Sequence, residues 1–138
     1  MSTKRAARRE VFLSHSSKDR KFVLKLVRFL KKKRIRYWYS AIHITGAKQW
    51  HDEIGNSLQR CNWLVVVLTP NSVKSQWVKH ELLFALRENR YNGRIIPLLL
   101  RRCDYSRLSW TLSGFEFVDF TESFTEGCKQ LMRSWNKK

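Results

Sequence analysis

The sequence predicts an α/β domain: a doubly wound, five-stranded parallel sheet with helices on both faces. Three observations predict it. Strand-like and helix-like segments alternate five times along the 138 residues. The apolar run Trp63-Leu64-Val65-Val66-Val67-Leu68 is continuous rather than alternating, as in a parallel strand covered on both faces. The intervening helices read at about 10–15 residues, enough for a crossover between parallel strands.

Each element has its own signal. Residues 10–14 form a short apolar strand. His15-Ser16-Ser17-Lys18-Asp19 then supplies turn and helix N-cap residues. Phe22, Val23, Leu26, Phe29 and Leu30 recur at helical spacing, with lysines and arginines on the outer face. Residues 35–39 are aromatic and β-branched, hence strand. Residues 40–49 read as a loop, and Trp50, Ile54 and Leu58 mark a second helix. Residues 63–68 are the third strand. The third helix runs over residues 75–89, with Val78, Leu82, Ala85 and Leu86 as its buried stripe. Trp77 and Glu81, four apart, sit one above the other on a neighbouring face. Gly93 is a plausible residue for closing that helix. Residues 95–100 form a fourth strand, in which Pro97 suggests a strand start or an edge. Residues 104–113 are loop with one short helical turn. Residues 115–119 alternate as a half-exposed fifth strand, and Phe124, Cys128, Leu131, Met132 and Trp135 mark a last helix.

Composition bounds the class. One domain is expected, with a basic tail over residues 1–8 and the folded unit over 9–136. A hydrophobic content of 43% with six Trp excludes a disordered chain. Cys61, Cys103 and Cys128 lack metal-ligand or CxxC spacing, so reduced thiols in a cytoplasmic setting are the expectation. No apolar run approaches the roughly 18 residues of a membrane span. The basic N-terminus has no apolar segment after it, unlike a signal peptide. No fused sensor domain is expected in so short a chain.

The net charge of +17 is concentrated. Residues 1–36 carry fourteen Lys and Arg against Glu10 and Asp19. Such a patch suits nucleic acid, an anionic membrane face or phosphate groups. No zinc finger, RNP-type aromatic motif or helix-turn-helix accompanies it, so a solvated helix face and a tail are the plainer reading.

Several chemistries are excluded. No GxGxxG follows the first strand and no GxxxxGK[ST] is present. A phospho-receiver would place Asp at the end of the third strand, which here ends Leu68-Thr69-Pro70. His15, His43, His51 and His80 lack metal-motif spacing, so no metal is expected. Ser14, Ser16 and Ser17 have no GxSxG context. On spacing alone, Trp77 is a packing residue and Glu81 a solvated acid.

Four pieces in order resemble the TIR (Toll/interleukin-receptor) family, over residues 9–136. The first strand runs into Ser14-His15-Ser16-Ser17-Lys18-Asp19, like the family's F-[IL]-S-[YH] opening. Tyr37-Trp38-Tyr39 looks like the second strand before the so-called BB loop. Gly46 to Trp50, then Asp52-Glu53-Ile54, is similar to that loop's glycine and the helix after it. Val66-Val67-Leu68-Thr69-Pro70-Asn71-Ser72-Val73 with Trp77-Val78-Lys79-His80-Glu81-Leu82 resembles the VLSPxxxxSxWxxxE[IL] signature. The match is nearest to short bacterial single-domain members.

The resemblance implies a flavodoxin-like sheet and two alternative functions. Many members cleave NAD at the nicotinamide–ribose bond, giving nicotinamide with ADP-ribose or a cyclic isomer, often in antiviral defence. Others are non-catalytic adaptors that signal through TIR–TIR contacts. For the enzymatic reading, Glu81 matches the catalytic glutamate. His15, Ser16, Ile44, Trp50 and Trp77 match or suit substrate contacts. NAD is then substrate and no cofactor is implied. Activity is expected to depend on assembly through the loop around Ile42-His43-Ile44-Thr45-Gly46, with a separate sensor protein as a further partner. The chemistry suits a lone carboxylate. The bond breaks through an oxocarbenium-like state, and nicotinamide leaves neutral from a cationic precursor without a general acid.

Overall fold

A computed structural model describes residues 9–39 and 47–136. The basic tail at 1–8 and the loop at 40–46 lie outside the described residues. Five strands, β1 (Glu10–Ser14), β2 (Arg36–Tyr39), β3 (Trp63–Leu68), β4 (Ile95–Leu99) and β5 (Val118–Asp119), form one sheet in the order β2-β1-β3-β4-β5. All four pairings are parallel. The strand order reverses between β1 and β3, the point at whose carboxyl ends open sheets of this kind take ligands.

The helices are α1 (Arg20–Lys32), α2 (Ala47–Arg60), α3 (Gln76–Arg87) and α4 (Phe124–Asn136). Side chains alternate across the sheet and divide the core in two. Val11, Leu13, Val65, Val67 and Leu98 face α1 and α4. Phe12, Leu64, Val66 and Leu68 face α2 and α3. All six β3 residues are buried, as the continuous apolar run requires. Among the described residues no helix is long and apolar enough to cross a membrane.

Two helix ends are closed by local chemistry. Ser75 caps α3, its side chain accepting the Val78 N–H at 3.2 Å. At the end of α1, the Ile35 N–H reaches Leu30 O at 2.9 Å and the Arg34 N–H reaches Lys31 O at 3.0 Å. These are the paired bonds of a Schellman motif, with Arg34 at φ 59°.

The sequence expectations differ from the structure at several elements. The second helix begins at Ala47 rather than Trp50, since Ala47, Lys48 and Gln49 are good helix formers. The third helix stops at Arg87, and a 3-10 turn at Asn89–Tyr91 follows. Gly93 (φ 73°) therefore closes that turn and not the helix. The segment over 104–113 holds two short 3-10 turns, not one. The fifth strand is only Val118–Asp119.

Pro97 accounts for the short strand. β4 is an interior strand, so proline does not mark a whole edge. The Leu100 N–H bonds to Leu68 O on the β3 side, while Leu99 O accepts from Phe120 N on the β5 side. Backbone groups alternate sides along a strand, so the Pro97 nitrogen faces β5. It has no hydrogen to donate, and pairing with β5 begins only at Leu98.

Candidate active site

The site is built where β1 ends. Ser14 is its last residue, paired with Val66 of β3 and fully buried. Its side chain leaves the sheet on the face of Phe12, which α3 covers. Glu81 comes from α3 on the same face. Ser14 Oγ donates to Glu81 Oε1 at 2.6 Å, a short hydrogen bond.

Glu81 is only 5% exposed, unlike a solvated acid. Burial pushes its carboxyl up to about 8, against a smaller downward pull from the Ser14 hydrogen bond. No cation is paired with it in the described residues. A carboxyl in such surroundings is a poised group: a positive charge arriving beside it would favour its ionised form.

His15 follows directly and is half-buried. Its Nδ1 lies 3.5 Å from Leu13 O, and its ring is tilted at 6.3 Å from Tyr39. Its Nε2 is buried with no partner among the described residues. Burial, above all, holds the imidazole below its ordinary range, which favours the neutral ring. Ser16 is buried, and its Oγ accepts the Lys18 N–H at 3.2 Å, capping the 3-10 turn Ser17–Asp19.

Trp77 lies on the first turn of α3 and is 37% exposed, with its ring 6.4 Å from that of His80. Trp50 falls within α2, but its side chain lies outside the described residues, as does Ile44 altogether. The structure thus brings Glu81 to the end of β1 and leaves His15 and Ser16 in the adjoining turn.

Two residues were not singled out from sequence. Ser14 was legible in principle, because strand alternation puts it on the Phe12 face. Asp19 reads as an N-cap, yet its side chain caps nothing on α1. It is 5% exposed and accepts from Thr69 Oγ1 at 2.6 Å, Asn71 Nδ2 at 3.1 Å and Arg101 Nη2 at 3.3 Å.

A 2' cyclic ADP-D-ribose synthase, BtTIR, from Bacteroides thetaiotaomicron is 26% identical over 91 residues, covering 64% of this chain and 32% of that protein. A probable 2' cyclic ADP-D-ribose synthase, TcpO, from Methanobrevibacter olleyae is also 26% identical over 91 residues, covering 65% and 27%. The chain thus spans about a third or less of these curated relatives. The TIR domain of the Toll-related receptor TRR-2 from Hydra magnipapillata superposes with a TM-score of 0.72 at 20% identity, over 92% of this chain and 94% of that one. The TIR domains of the activated Roq1 resistosome give 0.68 at 16% identity, over 92% and 99%. At these identities the structural likeness speaks for the fold alone. The sequence profile of the TIR domain matches residues 11–132, from the second residue of β1 well into α4, and the chain belongs to the TIR domain family.

Proposed function

We propose that the protein cleaves NAD at the bond between nicotinamide and ribose. The observation that carries this is the buried Glu81 carboxyl, bonded by Ser14 at the carboxyl end of β1. The names of the two curated relatives support the same reaction class. Cleavage puts positive charge on the ribose carbon as nicotinamide leaves with the bonding electron pair. A carboxylate in a dry pocket stabilises that charge far better than one in water. The cation is then captured by water, giving ADP-ribose, or by a hydroxyl of the same molecule, giving a cyclic isomer, and either capture releases a proton.

Glu81 is the residue assigned to the charge. Its ionised form is needed, and the cationic nicotinamide ring of the arriving substrate favours it. His15 and Ser16 are assigned to the nucleotide, and Trp77 and Trp50 to stacking surfaces. Ile44 and the loop over residues 42–46 would complete the pocket, and contacts between copies through that loop would make activity depend on assembly. A role in antiviral defence or signalling, a cytoplasmic location and a separate sensor protein belong to the same reading.

The test is to incubate concentrated protein with NAD and identify products by chromatography and mass. Wild type should release nicotinamide, and Glu81→Gln should release it at least about 100-fold more slowly. Equal rates reject the role of Glu81. No loss of NAD under any condition, with self-association in sedimentation, favours a non-catalytic adaptor.

A further inference from the structure

The candidate site has two halves on different segments: the turn after β1, with His15 and Ser16, and α3, with Glu81. The Ser14 hydroxyl is one bridge between them. A second bridge lies one layer away, on buried polar groups outside the proposed chemistry. Asp19 ends the turn after β1, Thr69 opens the segment after β3, and Arg101 follows β4. All three segments leave the carboxyl end of the sheet.

We infer that Asp19 is a positioning residue, whose carboxylate locks the turn carrying His15 and Ser16 onto the segment that leads into α3. The inference rests on reading the site as one for a dinucleotide. Thr69 is fully buried and is itself saturated. Its hydroxyl donates to Asp19 and accepts the N–H groups of Asn71 and Ser72, both at 3.1 Å. Ser72 returns the link, its Oγ accepting the Thr69 N–H at 3.0 Å. The Arg101 side chain is 60% exposed, so its ion pair adds little holding force beside the buried bonds.

Only a carboxylate satisfies this arrangement. One Asp19 oxygen meets the Thr69 hydroxyl, and the other meets the Asn71 amide and the Arg101 guanidinium. An asparagine would have to turn its NH2 toward one side. Toward Thr69, it meets a hydroxyl that already accepts twice and has no other outlet for its proton. Toward Asn71 and Arg101, it meets two donors. The first orientation strands the buried Thr69 hydroxyl, and the second releases the part-buried Asn71 amide and the exposed Arg101 from the turn. Ser14 stays in the β1–β3 ladder, so the bond to Glu81 survives. The substrate-holding turn loosens while the reacting group stays in place, which separates binding from chemistry.

The experiment combines hydrogen exchange by mass spectrometry with NAD kinetics on the full chain. Asp19→Asn and Thr69→Val should each raise exchange in residues 14–19 by roughly tenfold or more. They should raise KM by a similar factor, with kcat within about twofold of wild type. The double variant should be little worse than either single one. If Asp19→Asn does not fold, Thr69→Val against Thr69→Ser carries the test, because serine restores the hydroxyl. Unchanged exchange in residues 14–19, or a loss confined to kcat, overturns the inference. Wild type that leaves NAD intact overturns the proposed function instead, and exchange still decides whether Asp19 locks the turn.

Discussion

Ser14 and Glu81, 67 residues apart in sequence, meet in a buried 2.6 Å hydrogen bond. One ends β1 and the other lies in α3, so the bond joins the two elements across the strand-order reversal. It is also a brake on protonation, since the hydroxyl favours the carboxylate while burial favours the neutral acid.

The first prediction concerns pH and rate. The free protein holds the Glu81 proton up to about 8. If the ionised form acts, kcat/KM should rise tenfold per pH unit below that value and level above it. The kcat profile should lie at lower pH, because the bound nicotinamide cation favours ionisation. Steady-state rates from pH 5 to 9 check both. A flat kcat/KM profile contradicts the role of Glu81.

Stability should follow pH in the opposite sense. Glu81 ionises near 4.5 in the unfolded chain and near 8 in the fold. Between those values the folded state binds the extra proton, so this group's contribution is full below 4.5 and is lost as pH rises toward 8. The slope is at most about 1.4 kcal/mol per unit. Glu81→Gln removes the titrating group and should flatten this part of the curve in urea titrations at several pH values.

Ser14→Ala tests the brake. Without the hydroxyl the carboxyl should hold its proton to higher pH. NAD cleavage near neutrality should fall by about tenfold, the weight of one hydrogen bond to a charged group. The loss should shrink at high pH, where even the variant ionises. A loss equal at all pH values would instead assign Ser14 to substrate contact.

The sheet was legible because its signals are local and redundant. The apolar run of β3 and the helical stripes of α1 and α4 each specify their own element. The motif alone singled out Glu81, whereas spacing made it a surface acid, and the structure buries it. Its burial depends on how α3 lies over β1, a tertiary fact. Asp19 misled for a physical reason: N-cap preference is local, and a carboxylate free to cap its helix was drawn instead to the Thr69 hydroxyl. Pro97 suggested a strand start or an edge, yet it sits inside the interior strand β4, and its effect is on the neighbouring strand.

Two glycines in helices should respond oppositely to alanine. At Gly127 in α4, an added Cβ would lie 2.5 Å from carbons of the buried Phe120 ring. The buried ring or the helix must shift, so Gly127→Ala should cost about 1–3 kcal/mol. At Gly55 in α2, nothing lies within 4 Å of the added atom. There the gain in helix propensity stands alone, and Gly55→Ala should stabilise by about 0.5–1 kcal/mol. Chemical denaturation of both variants checks the pair.

The end of α1 offers the last test. Arg34 sits at φ 59°, where a Cβ crowds the following carbonyl, yet the two bonds closing the helix require that conformation. Glycine adopts it without strain but adds freedom to the unfolded chain. Relief of the strain outweighs that added freedom, so Arg34→Gly should stabilise by about 0.5–1 kcal/mol. The substitution also removes one positive charge from the crowded first 36 residues, a contribution that salt screens. Measured at low and high salt, a gain that persists belongs to the backbone, and one that vanishes belongs to charge. A loss at both would mean that the Arg34 side chain holds the turn in a way its backbone does not reveal.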